Sequence, residues 1–233
     1  MRRVAPLTLL TFLAACSVAP PDTAQGMDML SVWKVFVYAG IAVYAIVGAL
    51  ILWPVIAYRR RDPTIRQARS TVHKNNKLEI TWTVIPVLIV IGLFIKTYIV
   101  EAKVEAVRQR PAQIVNVVGY RWSWRFTYPQ NGVVVNGTTR RAPTLVLPVN
   151  ETTRINLTSS DVIHSFWVPA FIFKRDANPG SINVFDFKPT RVGTYPGSCA
   201  EFCGTLHALM DFNVRVVSQA DFATWIRKQG GKL

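Results

Sequence analysis

Two long apolar runs near the N-terminus, followed by alternating hydrophobic and polar positions, divide this chain into two parts. Residues 35–58 contain no charged side chain, and residues 78–100 contain only Glu79 and Lys96, both near the ends of the run. A helix needs roughly 20 apolar residues to span a bilayer. Soluble core helices are the alternative, but two such runs separated by a short charged segment predict a transmembrane hairpin over residues 29–100.

From residue 114 the hydrophobic period becomes two, which is typical of strands. Five aromatic residues alternate with polar ones and predict one strand with an aromatic face: Tyr120, Trp122, Trp124, Phe126 and Tyr128. Shorter strands are predicted at 133–135, 144–147, 154–158, 182–187 and 212–217. Pro, Gly, Asn and Asp separate them, as in an antiparallel sandwich or barrel. Ser218 precedes an apolar i, i+3, i+4 pattern, which predicts a short C-terminal helix.

The N-terminal residues have the pattern of a bacterial lipoprotein signal. Arg2 and Arg3 precede an apolar run, and Leu-Ala-Ala stands directly before Cys16. We therefore expect a signal peptide over residues 1–15, cleavage before Cys16 and lipid on its thiol. An uncleaved tail with an unmodified cysteine is the alternative. Residues 16–28, which include two prolines and a glycine, are predicted to form a flexible tether.

The distribution of charge predicts the topology. Residues 59–77 contain seven Lys or Arg and one acid, so the positive-inside rule places this loop in the cytoplasm. Residues 101–233 are then exported across a bacterial cell (inner) membrane. The net charge of +14 would suggest nucleic acid. Since the loop contributes +6 of that charge, topology explains much of the excess and we expect no nucleic acid. The exported part has 16 bases and 9 acids, and its surface would steer acidic or neutral partners better than strongly basic ones.

The candidate chemistry lies in residues 199–210. This segment holds Cys199, Cys203, His207 and Met210, in a chain with three cysteines and three histidines. Soft sulfur ligands select copper or zinc, and a nearby Met suits a weak axial bond to copper. His164 lies upstream. A disulfide or a zinc site remains an alternative for the cysteines, but neither gives Met210 a role. Two thiolates can bridge two metal ions, so the residues favour a dicopper thiolate centre.

The order and spacing of these residues resemble cytochrome c oxidase subunit II and its binuclear CuA site. The match includes the acidic residue between the cysteines and the glycine after the second one. The resemblance implies a cupredoxin-like fold for residues 101–233. It also implies side-chain copper ligands and one carbonyl ligand, from Glu201. The side-chain ligands are His164, Cys199, Cys203, His207 and Met210. The Glu201 carboxylate is implied to face a magnesium site shared with subunit I.

Three further residues take roles from the same resemblance. Trp122, the first Trp of a Trp-x-Trp pair, is implied to be the point of electron entry. Glu79, otherwise an acid near a helix N-terminus, is implied to lie at the entrance of a proton path. Asp176, otherwise a surface acid, is implied to face subunit I.

The function implied by the resemblance is that of an electron-entry subunit. Such a subunit accepts electrons from cytochrome c or a c-type haem subunit and passes them to haem in subunit I, where oxygen is reduced to water with proton pumping. The absence of a Cys-x-x-Cys-His motif predicts a separate donor. The alternatives are a membrane-anchored copper carrier and a quinol oxidase subunit II that retains copper.

Overall fold

The computed structural model describes residues 18–59 and 74–232, which form two compact units. One unit comprises residues 31–102. The other joins the described residues up to 30 with the chain from 103 onward. The predicted signal peptide, Cys16 and most of the basic loop lie outside the described residues.

The first unit contains most of two long helices, α1 (Ala24–Ala57) and α2 (Asn76–Glu105). By length and composition, both are able to cross a membrane. Their apolar side chains are largely exposed, as is expected of surfaces that face lipid or other apolar helices. The prediction of two apolar N-terminal helices is confirmed.

The start of α1 differs from the sequence prediction. The helix begins at Ala24 rather than near residue 29, because Thr23 Oγ1 accepts a hydrogen bond from the Gly26 N–H at 3.0 Å and caps the first turn. Asp22 and Thr23 are buried, and Arg191 pairs with the Asp22 carboxylate at 2.7 Å. A flexible tether was predicted here, whereas these residues are anchored by backbone and side-chain bonds.

The second unit is a β-sandwich, which we call the β-domain. Its strands are β1 (Gln113–Tyr120), β2 (Ser123–Tyr128), β3 (Val133–Asn136), β4 (Thr144–Pro148), β5 (Thr153–Ser159), β6 (His164–Val168), β7 (Phe173–Ala177), β8 (Asn183–Phe187), β9 (Gly193–Cys199) and β10 (Asp211–Val217). One sheet has the order β3-β2-β1-β5-β8 and the other β4-β10-β9-β6-β7. The pairs β1/β5 and β4/β10 are parallel, so the sheets are mixed. Helix α3 (Gln219–Lys228) follows, capped by Ser218, and confirms the predicted sandwich with a C-terminal helix.

The aromatic segment is two strands rather than one, which corrects the sequence prediction. β1 ends at Tyr120, which pairs with Ser123, so that Arg121 and Trp122 form a tight turn. The Arg121 N–H donates to the Asp161 carboxylate at 2.7 Å, which anchors a turn that lacks glycine, proline or asparagine. Trp122 is consequently half-buried, while the next three aromatics along β2 lie in the core.

Aromatic packing fixes the two sheets together beside the end of the sandwich that carries the cysteines. Phe166 of β6 stacks on Phe212 of β10 at a ring distance of 4.5 Å, and the Trp124 ring meets both edge-on. Gly197 leaves the space for the Phe212 ring, since a Cβ at position 197 would lie 2.3 Å from it. These contacts set the positions of β6, β9 and β10.

Tyr128 is a buried ionisable group whose titration makes the stability of the β-domain dependent on pH. Its hydroxyl donates to the Val146 carbonyl and accepts from the Val146 N–H. Burial raises the pKa of Tyr128 above its usual value. The stabilisation is complete below the unfolded-state pKa of about 10 and is lost as the pH rises from there toward the folded-state pKa. The expected loss is about 1.4 kcal/mol for each pH unit.

We therefore expect the free energy of unfolding of the β-domain to fall more steeply above pH 10 in the wild type than in Tyr128→Phe. Urea unfolding of the detergent-solubilised chain, followed by tryptophan fluorescence, measures both slopes. Equal slopes would contradict the assignment to Tyr128.

Candidate metal centre

Three strands of one sheet bring the predicted metal-binding residues to one end of the sandwich. His164 is the first residue of β6, Cys199 is the last residue of β9, and Met210 directly precedes β10. Cys199 lies opposite Phe166 in the β6/β9 pair, and its N–H donates to the Met210 carbonyl at 3.0 Å. The segment 200–210 is therefore a loop between two neighbouring antiparallel strands, and we call residues 199–210 the metal-binding loop.

The sulfur and nitrogen atoms of five side chains converge in this loop. Cys199 Sγ lies 3.8 Å from His164 Nδ1 and 3.9 Å from Cys203 Sγ. Cys203 Sγ lies 3.6 Å from His207 Nδ1 and 3.7 Å from Met210 Sδ. Each cysteine thus has an imidazole nitrogen of its own, and the two sulfurs face each other between them.

This geometry fits a metal site and not a disulfide. A disulfide needs sulfurs about 2.05 Å apart, whereas these two thiols are free and 3.9 Å apart. In the described part of the chain, His164, Cys199 and Cys203 offer ligand atoms that all lie within 4.8 Å of one another. Met210 is fully buried and adds a soft thioether, which copper binds at long distance.

The backbone of Glu201, and not its side chain, lies next to the predicted metal ligands. Its carbonyl oxygen lies 3.2 Å from Cys199 Sγ, while its side chain is exposed. This arrangement fits the prediction of a carbonyl ligand and a carboxylate that turns elsewhere. Both roles stay predictions.

The two thiols have opposite pKa shifts. Burial raises the pKa of Cys199. Hydrogen bonds from His164 and from the backbone lower it by more, so that the pKa falls to about 7. Burial and the negative charge of Cys199 raise the pKa of Cys203 to about 12. A pair of sulfurs this close resists carrying two negative charges unless cations bind between them.

Asp161 is a functional candidate that the sequence analysis did not single out. Its Oδ1 lies 2.8 Å from His164 Nε2, so the carboxylate fixes the ring with Nδ1 toward Cys199. Carboxylates commonly orient metal-binding histidines in this way. Burial raises the pKa of Asp161, but hydrogen bonds from His164 and two backbone N–H groups outweigh it and hold the pKa at about 2. The available signal was an acid three residues before the histidine.

Trp122 lies directly against the metal-binding loop. Its indole Nε1–H donates to the Cys203 carbonyl at 3.2 Å, and the side chain is half-buried. Gly204 adopts a φ of 118° beside it, and a Cβ there would approach the indole nitrogen to 3.3 Å. Trp122 therefore connects the surface of the β-domain with a cysteine of the centre.

The other two predicted residues are not part of this cluster. Asp176 is exposed on β7, opposite Ser165 of the strand that carries His164. Glu79 is exposed in the first turn of α2 and belongs to the helical unit. Their roles stay predictions.

Comparison with known proteins identifies the family. Residues 10–99 match the transmembrane domain of cytochrome c oxidase subunit II, and residues 136–217 match its periplasmic domain. A probable cytochrome c oxidase subunit 2 of Streptomyces avermitilis is 36% identical, with 85% of this chain and 74% of that protein covered. The chain belongs to the cytochrome c oxidase subunit II family. Its β-domain is accordingly cupredoxin-like.

Other relatives show the same similarity. Cytochrome c oxidase subunit 2 of Mycobacterium bovis is 31% identical over 84% of this chain and 70% of that protein. Among solved structures, the periplasmic domain of subunit II of the Bradyrhizobium japonicum cytochrome oxidase is 33% identical, with a TM-score of 0.48. That alignment covers 52% of this chain and 95% of the solved domain.

Proposed function

We propose that this subunit II accepts electrons from cytochrome c at a binuclear CuA centre and passes them to haem in subunit I. Oxygen reduction to water and proton pumping are then the work of the complete oxidase. Subunit I carries the oxygen-reducing site.

The pairing of donors at the metal-binding loop, with His164 supplied by β6, carries this proposal. The two sulfurs stand 3.9 Å apart, with His164 beside one and His207 beside the other. One tetrahedral zinc ion would leave the buried Met210 thioether without a role. Two copper ions would use every donor, with His164, Cys199, Cys203, His207 and Met210 to hold them, and they would supply one-electron transfer when bound.

The surrounding residues suit a centre that must change little during electron transfer. Both cysteines and Met210 are buried, which limits access of water to the sulfurs. Asp161 holds His164, and the Trp124 indole N–H lies 3.4 Å from the Met210 carbonyl. Such outer contacts restrict the movement of the ligands and tune the reduction potential.

The remaining predictions complete the proposed assembly. The exposed Glu201 carboxylate is a candidate magnesium ligand at the contact with subunit I, and Asp176 is a candidate for the same interface. Glu79 would lie at the start of a proton path. The helices would anchor the chain in a bacterial inner membrane with the β-domain on the periplasmic side, and Cys16 would carry lipid.

Copper stoichiometry and electron paramagnetic resonance of the copper-loaded full chain test the proposal. We expect two copper ions per chain and a hyperfine pattern from one electron shared by two nuclei. One copper ion with a single-nucleus pattern would favour a copper carrier instead. Binding of zinc alone would contradict the proposal.

Met210→Leu tests the role of the Met210 thioether in the proposed centre. The leucine side chain keeps the apolar volume but removes a weak sulfur donor, so both copper ions should remain while the oxidised centre loses stabilisation. We expect the reduction potential to rise by on the order of 60 mV, which is a tenfold change in a one-electron equilibrium. Potentiometric titration with copper analysis measures both. Loss of copper would show that Met210 holds the site.

A further inference from the structure

Arginine side chains surround Trp122 on the surface of the β-domain. Arg121 is its neighbour in the β1/β2 turn, and the Arg121 side chain is 50% exposed. Arg125 follows on β2, is exposed, and lies over the Tyr120 ring at 5.8 Å. Positive charge therefore flanks the half-buried indole on its own strand and turn.

The loop between β3 and β4 brings two more arginines to the same end of the sandwich. Gly137 donates to the Trp124 carbonyl at 3.0 Å and accepts from the Tyr120 hydroxyl at 2.7 Å. A Cβ on Gly137 would lie 2.3 Å from Ser123 Oγ, so the loop passes directly beside the start of β2. The loop then turns back on itself at residues 138–141 and exposes Arg140 and Arg141.

Most of this positive charge has no acidic partner. Arg125, Arg140 and Arg141 form no ion pair with any residue in the ranges 18–59 and 74–232. The Asp161 carboxylate already pairs with Arg121, at 3.6 Å, and with His164. The exposed Asp211 begins β10 near this loop and offsets only part of the charge.

A cleft extends the basic surface onto the neighbouring sheet. Arg141 and Arg215 line the same cleft of about 550 Å³, together with Asn213. Arg215 also forms no ion pair with a described residue. We call the set Arg121, Arg125, Arg140, Arg141 and Arg215 the arginine face.

We propose that the arginine face receives the acidic docking face of the protein that delivers electrons, a c-type cytochrome with carboxylates around its haem edge. This inference rests on the proposed function. Complementary charge steers encounter and fixes orientation, and it repels partners of the wrong sign. Carboxylates that reach Arg121 and Arg140 would place the donor over Trp122, which contacts Cys203. A strongly basic cytochrome would meet repulsion at the same place.

The experiment measures the binding of two oxidised c-type cytochromes to the assembled oxidase that contains this chain. One cytochrome has a net negative charge and the other a net positive charge. Association rate and affinity are measured by surface plasmon resonance at increasing ionic strength. The test variant combines Arg140→Glu with Arg141→Glu, and a milder variant has glutamine at both positions. The control combines Arg110→Glu with Lys188→Glu, two exposed residues at the other end of the sandwich. Arg110 precedes β1, and Lys188 directly follows Phe187 of β8, whose partner Thr153 lies opposite the first residue of β1. Trp122 follows the last residue of β1, about 23 Å along that strand.

We expect the acidic cytochrome to associate faster and to slow as salt rises. Its association should fall about tenfold in the glutamate variant at low salt, by an intermediate amount in the glutamine variant, and less than about twofold in the control. The basic cytochrome should bind the glutamate variant better than the wild type. Faster binding of the basic cytochrome to the wild type, or equal losses in variant and control, would overturn the inference.

Reduction of the copper centre separates this inference from the proposed function. If neither cytochrome reduces a centre that dithionite reduces, the proposed function fails. If a cytochrome reduces it and the glutamate variant binds that cytochrome as the wild type does, the arginine face alone is refuted.

Discussion

Cys203→Ser is expected to destroy the proposed binuclear copper centre. Three donors lie within 4 Å of Cys203 Sγ, namely Cys199 Sγ at 3.9 Å, His207 Nδ1 at 3.6 Å and Met210 Sδ at 3.7 Å. A serine oxygen is a hard ligand that copper binds poorly, and it cannot replace the second soft sulfur donor. Copper should fall from two ions per chain to one or none, and electron entry should fall by a factor on the order of 100 or more.

The third cysteine provides a matched control. Cys16→Ser removes the proposed lipidation site, which lies far along the sequence from the metal-binding loop, so copper content and spectrum should equal those of the wild type. Copper analysis measures the copper content of both variants, and electron paramagnetic resonance shows how many copper nuclei share the electron. Retention of a two-nucleus pattern in Cys203→Ser would show that the proposed centre does not depend on this sulfur.

Trp122→Phe is expected to slow electron entry while copper content stays unchanged. Phenylalanine keeps an aromatic ring in the β1/β2 turn but lacks the Nε1–H that donates to the Cys203 carbonyl. The smaller ring also covers less of the loop beside Gly204. Loss of a central aromatic contact costs on the order of 1.4 kcal/mol, which corresponds to about a tenfold lower rate with the native donor.

Stopped-flow reduction of the copper centre measures this effect, with Trp225→Phe as the control. Trp225 lies on α3 and packs on Tyr128 with ring centroids 5.1 Å apart, so the same substitution there tests the cost of losing an indole in general. Equal rates for Trp122→Phe and the wild type would show that electrons enter elsewhere.

The convergence of four predicted donors could be expected from the sequence because they are close together along the chain. Four donors lie within twelve residues, and a loop between neighbouring antiparallel strands brings such residues together with little help from the rest of the chain. From the residues alone, His164 was an upstream histidine that a sandwich fold could bring to the same end, and the family resemblance implied its role as a ligand. Its place depends on the pairing of β6 with β9, which joins residues 33 positions apart at Phe166 and Cys199.

The predictions were weakest where tertiary contacts override local pattern. Alternation through residues 120–128 indicated one strand, but the Asp161 carboxylate anchors a turn at Arg121 that has no typical turn residue. β7 was not predicted because Lys174, Arg175 and Asp176 make it polar, which is common at a sheet edge. β9 carries two glycines and a proline, which are rare within strands.

The anchored residues before α1 have a consequence for the order in which this protein is made. Asp22 bonds to Arg191, which lies 169 positions later in the chain. Because the ribosome synthesises the N-terminus first, residues 20–26 leave it long before strands β8 and β9 exist to receive them. Closure of the β-domain must therefore wait until translation has passed residue 191, and it is one of the last events in its assembly.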